Sequence, residues 1–368
     1  MTAPAVIDWA VAERVAIAVA GREPLADSYH YDSLAPDFAR FTVEAEALVE
    51  SHTGLRSAHG PARARVTDRA GWIRANVASF QRLLGPFMES MASKKRSSKG
   101  PGSNSRSNIG LMGSVGRTLA GAEVGALLGW MSTRVLGQYD MLVVENDDEA
   151  EQDIVYYVGP NILAAEKLYG LPPAEFRLWL ALHELTHRAQ FTGVPWLRSH
   201  FLSLLNQTLS GFEPDPKRLV EALRTTARQI RAGERLFQAG LVELLATPEQ
   251  RQILGQVQGL MSVLEGHGDV VMGRAALTRV PSAARFHQVL HQRRQSSGAV
   301  RLIQRLMGLE AKMRQYQEGE AFLEVIESHG GPEAVDHLWR GPEWIPNLNE
   351  IRSPERWLRR VGELQAAV

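Results

Sequence analysis

Apolar residues recur at helical spacing along most of this chain. Ile7, Ala10, Val11, Val15 and Val19 predict a helix over 5–20, with Gly21 as its stop. The same reading predicts helices over 35–52 and 66–91, the latter through Trp72, Ile73, Val77, Phe80, Leu83 and Leu84. A Gly- and Ala-rich stretch, 109–137, carries Gly121, Gly125 and Gly129 four apart, a spacing that suits close helix contact. Arg117, Glu123 and Arg134 interrupt it, so it reads as tightly packed helix in a core rather than a membrane span. Further helices are expected over 196–209, 216–232 (Leu219, Val220, Leu223, Ala227, Ile230), 249–276 and 299–327. From Gly331 onward Trp339, Trp344 and Trp357 alternate with prolines, predicting turns and short helices wrapped on the core.

Period-two patterning is rare. Met141 to Glu145 and Asp153 to Val158 are rich in β-branched and aromatic residues and are separated by an acidic turn. They predict a hairpin just upstream of the next helix, with an edge able to pair with a peptide backbone. The expected fold class is mainly α (α+β): a helical core with a small hairpin or sheet.

Ser93 to Asn108 breaks the pattern. Lys94, Lys95, Arg96, Lys99 and Arg106 lie among Ser, Gly and Asn with no large apolar residue, which predicts a flexible, solvated loop. The expected organisation is a helical region over 1–92, that loop over 93–108, and a metal-binding region over 109–368 packed with 1–92 as one unit. A nucleic-acid arm at 93–108 is the other reading of the loop.

Composition narrows the classes. Lys+Arg and Asp+Glu are both 41, so the net charge is zero and no general nucleic-acid affinity is expected. There is no cysteine, which excludes disulfides and thiolate metal sites. Asp8, Glu13 and Arg14 interrupt the first apolar run, so it does not read as a signal peptide, and a cytoplasmic protein without a membrane partner is expected.

The chemistry concentrates at His183-Glu184-Leu185-Thr186-His187. Pro172 and Pro173 open this segment as prolines open a first helical turn. Phe176, Trp179, Leu180, His183 and His187 then follow helical steps, so the histidines continue an apolar stripe. Residues four apart on a helix are stacked on one face, so both imidazoles can reach one zinc ion. Glu184, about 100° around the helix, lies at the edge of that face. There it can act as general base on the water such an ion activates. The same spacing also suits two core histidines satisfied by backbone carbonyls. Arg188, directly after His187, needs a solvent exit or a carboxylate partner.

A catalytic zinc takes three protein ligands and leaves a position open. Gln190 and Gly193 stand where an extended HExxHxxGxxH motif would carry its glycine and third histidine, so that pattern fails and the third ligand must come from elsewhere. Glu265 is the expected one. Leu254, Met261, Glu265, Asp269 and Met272 share a helical stripe, and a carboxylate on such a stripe needs a cation. Asp269, one turn on, could accept the other ring N–H of a ligating imidazole and hold it from behind. Gly266 and Gly268 would let a neighbouring helix approach. The competing reading pairs Glu265 with Arg274 or Arg188. His200 and His267 are weaker ligand candidates. For the developing oxyanion Tyr316, His267, His287, His291 and Arg314 are candidates, and Tyr316 suits a core role equally well.

These segments resemble a known family. Leu182-His183-Glu184-Leu185-Thr186-His187-Arg188-Ala189-Gln190-Phe191, Val194-Pro195-Trp196, Leu264-Glu265-Gly266-His267, Lys312 to Phe322 and Leu338-Trp339 are similar to the zincin-like hydrolases of the HExxH, glutamate-zincin type. Some members of that family are associated with biosynthesis of a deazaflavin coenzyme. The resemblance runs over most of the chain, from Asp8-Trp9 to Trp357. It implies a largely helical zincin-like fold and a metallopeptidase-type site with Zn2+ as cofactor. The Glu-x-x-x-Asp pattern of the family matches Glu265 and Asp269. The expected function is a zinc-dependent metallohydrolase acting on a peptide or small amide. The alternative is a non-catalytic helical protein, stapled by its metal, that serves as a partner in a cofactor pathway.

Overall fold

The computed structural model describes residues 7–23, 25, 27–97, 106–140, 153–210, 247–294, 309–331 and 333–366. They form a mainly helical chain with one three-stranded sheet. The chain divides into two compact units, one of 1–51 with 57–188 and one of 52–56 with 189–368.

The first unit opens on α1 (Trp9–Ala20), whose N-terminus is capped by Asp8 accepting from the Val11 amide at 3.0 Å. Gly21 ends it in a left-handed conformation (φ 62°), which favours glycine. Helices α2 (Leu34–Thr53), α3 (Arg69–Ser97) and α4 (Arg106–Ser132) follow, with β1 (Arg63–Thr67) between α2 and α3. Then come β2 (Gly137–Tyr139), β3 (Ile154–Val158), α5 (Gly159–Tyr169) and the start of α6 (Pro173–Gly193). The sheet has the order β1-β3-β2, with β1 parallel and β2 antiparallel to β3. All five β3 residues are buried, as a central strand requires.

The glycine spacing in α4 acts against α1. A Cβ on Gly121, Gly125 or Gly129 would lie 2.3, 2.4 and 2.4 Å from the carbonyl oxygens of Asp8, Ala12 and Ala16. Only hydrogen fits there, so the two helix backbones touch along three turns. Ala16, Ala20, Trp72, Ile73, Val77, Leu128 and Val158 form the buried cluster beside this contact.

The second unit takes in the last turn of α6, then α7 (Leu197–Ser210), α8 (Pro248–Arg279), α9 (Ala283–Arg294) and α10 (Leu309–Gly330). The short α11 (Glu333–Asp336), α12 (Leu348–Ile351) and the final α13 (Pro354–Ala366) follow. Thr247 and Gln250 close a capping box at the start of α8. Gly266 and Gly319 bring α8 and α10 together: a Cβ on Gly266 would lie 2.4 Å from the Gly319 carbonyl carbon. The apolar core here joins Val263, Phe322, Leu323, Ile326, Leu338, Trp344 and Trp357. The tryptophan-rich tail does wrap as turns and short helices, and Trp357 is wholly buried with its indole donating to the Trp344 carbonyl at 2.7 Å.

Five expectations need correction or fall outside what is described. The helix expected from 66 starts at Arg69, and Arg63–Thr67 form β1, whose polar–apolar alternation is short and carried only by Ala64 and Val66. β3 is where it was expected, but the antiparallel strand beside it is Gly137–Tyr139; the strand expected over 141–145 lies outside the described residues. Helix continues through Ser93 to Ser97 and resumes at Arg106, because Lys and Arg are good helix formers in spite of lacking an apolar face; 98–105 lie outside the described residues. The helix expected over 216–232 and the first ten residues of that expected over 299–327 also lie outside them. Among the described residues no helix is long and apolar enough to cross a membrane.

The glycine contact makes a direct prediction. Gly125→Leu should cost about 1–3 kcal/mol or more of unfolding free energy by urea denaturation. A loss below about 0.5 kcal/mol, the range of an ordinary surface change, would show that α1 and α4 do not meet there.

Candidate metal centre

Helix α6 is apolar on every side, with Phe176, Leu178, Trp179, Leu180, Ala181, Leu182 and Leu185 all buried. From Phe176 to Thr192 every residue is buried except His183 and His187, which are half-buried. Phe176, Trp179 and Leu180, the apolar positions whose spacing the histidines continue, are buried, and the histidines are partly open. They are the open stripe of an otherwise enclosed helix. A helix apolar all round must be central, and then any face left open is the informative one. The two rings lie edge to face with centroids 4.6 Å apart.

Polar anchors fix how α6 is rotated. Arg177 donates to Glu166 at 2.8 and 3.0 Å, to Asp37 at 2.7 Å and to the Ser33 hydroxyl at 3.0 Å. Burial by itself lowers the Arg177 pKa, but these carboxylates outweigh it and hold the group above its ordinary value. Arg188, the residue that needed a carboxylate, is almost wholly buried. It donates to Asp153 at 2.9 Å, and also to Glu46 and the Gly60 carbonyl. Asp153 directly precedes β3 and Glu46 lies on α2, so Arg188 ties α6 to the start of one and the side of the other.

Glu184 is buried beside β2. Its Oε2 accepts the Tyr139 amide at 2.9 Å, and a Cβ on Gly137 would lie 2.7 Å from its Oε1. Sequence reasoning missed both residues, since neither bears a chemical group that stands out in a row of letters.

In the second unit the last turn of α6 meets α8. Gln190 is wholly buried and its Nε2 donates to the Leu264 carbonyl and to His267 Nδ1, each at 3.0 Å. A carbonyl only accepts, so the Leu264 contact identifies the amide nitrogen, and the His267 Nδ1 facing it must be unprotonated. The other edge of His267 packs against Trp339 at 5.0 Å, and the Trp339 carbonyl accepts from the Trp196 indole at 2.8 Å. His267 is thus enclosed in packing. Sequence reasoning also missed Gln190, which entered only as the residue at the glycine position of the extended motif.

Glu265 follows Leu264 and is buried. His183 and His187 stand on α6 in the first unit and Glu265 on α8 in the second, and these three side chains carry the donor atoms that could hold a metal ion. The two arginines that competed for Glu265 are engaged by other acids: Arg274 by Glu327, and Arg188 as described. Asp269 is half-buried one turn along α8. His200 is half-buried on α7 with its edge to Trp196, and burial depresses its pKa; it is not part of the histidine–glutamate group. His287 is half-buried on α9. The side chains of Tyr316, Arg314 and His291 lie outside what is described.

Two imidazoles and a carboxylate make the nitrogen–oxygen donor set of a three-ligand zinc site, so these residues fit that ion. A mainly helical chain whose HExxH helix opens only at its two histidines has the architecture of a metallopeptidase-type protein. The chain belongs to the zincin-like metallopeptidase family, whose model matches residues 7–358. It is also similar to a Chloroflexus aurantiacus protein whose crystal structure is described as "a putative hydrolase with a novel fold", at 29% identity and a TM-score of 0.67. That likeness covers 97% of this chain and 99% of the other. No curated protein matches.

Removing the Arg188 guanidinium leaves Glu46 and Asp153 against an apolar side chain. Arg188→Met should therefore cost about 3–5 kcal/mol in chemical denaturation, the usual penalty for breaking a buried pair. A loss under about 1 kcal/mol, as for a surface pair, would show the network to be solvated.

Proposed function

We propose that this chain is a zinc-dependent hydrolase of peptide or small amide bonds. In this reading His183, His187 and Glu265 hold the ion and Glu184 is the general base. The observation that carries it is the exposure pattern of α6: a helix closed on every side opens at two imidazoles one turn apart. Family membership supports the hydrolytic class.

A zinc ion held there supplies a Lewis acid that acidifies water and polarises a carbonyl. The rest falls to the chain's own residues. Glu184 stands one residue along from His183, turned about 100° from the histidine stripe, so its carboxylate borders the ligand face without joining it. It takes a proton from the attacking water and returns it to the leaving nitrogen as the C–N bond breaks. The amide of Tyr139 keeps the carboxylate from rotating. Apolar neighbours on α6 exclude bulk water from its flank, which strengthens every charge interaction at the site.

Two variants test the reading on zinc-loaded protein with a mixture of quenched fluorescent peptides. Glu184→Gln should retain zinc and lose hydrolysis by about 10²–10⁴-fold, the usual worth of a positioned base. Glu265→Gln should weaken zinc binding, measured against a chelating dye, by more than the roughly 10–100-fold that loss of an outer-shell partner costs. An unchanged rate in zinc-loaded Glu184→Gln, or a zinc-loaded wild type that cleaves none of the peptides, contradicts the peptidase reading.

A further inference from the structure

β2 is an edge strand in the order β1-β3-β2. Its ladder to β3 runs through alternate residues: the Val158 amide donates to the Leu136 carbonyl at 2.8 Å, and the Asp140 amide to the Ile154 carbonyl at 3.2 Å. In an antiparallel pair that alternation turns the backbone groups of the intervening residues, Gly137 and Tyr139, away from the partner. The outward Tyr139 amide is the one that donates to Glu184 Oε2. An edge amide is thereby satisfied by a side chain from α6, and a buried carboxylate gains a fixed donor.

Gly137 completes the arrangement. A Cβ on it would lie 2.7 Å from Glu184 Oε1, 2.9 Å from Cγ and 3.0 Å from Cδ. Those atoms belong to a side chain, which would ordinarily swing aside. This one is buried and held at its other oxygen, so it has little room to move. The backbone of Gly137 lies in a β-strand, so glycine is needed here for space and not for conformation.

We propose that Gly137 and the Tyr139 amide are the seat that positions Glu184, the amide holding Oε2 and the missing side chain of Gly137 making room for Oε1. Gly137 is then a positioning residue for the base. The inference rests on Glu184 being the base, but the seat itself can be measured without turnover.

The first arm is single-amide hydrogen exchange on the full chain. Glu184→Ala should speed exchange at Tyr139 by at least about tenfold while Val158, bonded within the sheet, stays as slow as before. Equal rates at Tyr139 in both proteins would overturn the seat. The second arm uses one peptide that the zinc-loaded wild type cleaves. Gly137→Ala should lower kcat at least about tenfold with KM and zinc content unchanged, and should cost nothing further in a Glu184→Gln background. An equal loss in both backgrounds means that Gly137 acts only through general structure, and the inference fails. A harmless Glu184→Gln would remove the base reading while leaving the exchange result to judge the seat. If Gly137→Ala alone does not fold, Gly137→Ala with Glu184→Ala should, because the overlap is gone; failure of that pair too would contradict the steric argument.

Discussion

The guanidinium of Arg188 is divided among Asp153, Glu46 and the Gly60 carbonyl, with almost no solvent contact. A charge so deeply placed is tolerated only when its donors are all met, so the residue after His187 can sit in one place. Three turns earlier Arg177 is bound in the same manner by Glu166 and Asp37. Between these anchors α6 has no freedom to rotate, and the rotation decides which residues face outward. That the two open positions are His183 and His187 follows from how the arginines are held.

Close backbone contact is the second device. Glycines at 121, 125 and 129 lay α4 directly on α1, and Gly266 with Gly319 does the same for α8 and α10. Helices packed this way cannot slide by a fraction of a turn without collision, since interiors are as dense as crystals. In α8 the contact at Gly266 sits beside Glu265, so the acid is carried on a helix whose register is fixed. Gln190 adds a polar tie at the same level, reaching the Leu264 carbonyl and His267 from the end of α6.

Much of this could be read from the letters. The helical periods of α1, α2, α6, α7 and α8, the glycine spacing in α4 and the apolar run of β3 all correspond to elements. The two histidines and the distant acid stood out because their chemistry is carried by side chains with regular spacing. What stayed hidden depends on backbone groups or long-range partners. β1 is a strand because it pairs with β3, and its own residues are mostly polar or charged. The part of Tyr139 that matters is its amide, which every residue but proline possesses. Gly137 matters through the atom it lacks. Arg188 looked like a departure from pattern because its partners, Glu46 and Asp153, lie far from it in sequence.

The account depends on one coordination sphere. X-ray absorption at the zinc edge of the stoichiometrically loaded chain, compared between wild type and Glu265→Gln, tests it most directly. The account predicts two imidazole nitrogens and a carboxylate oxygen at about 2.0–2.2 Å with one solvent position, and loss of one oxygen from the protein in the variant. A sphere closed by four protein ligands, or one unaltered by the Glu265 change, would contradict it.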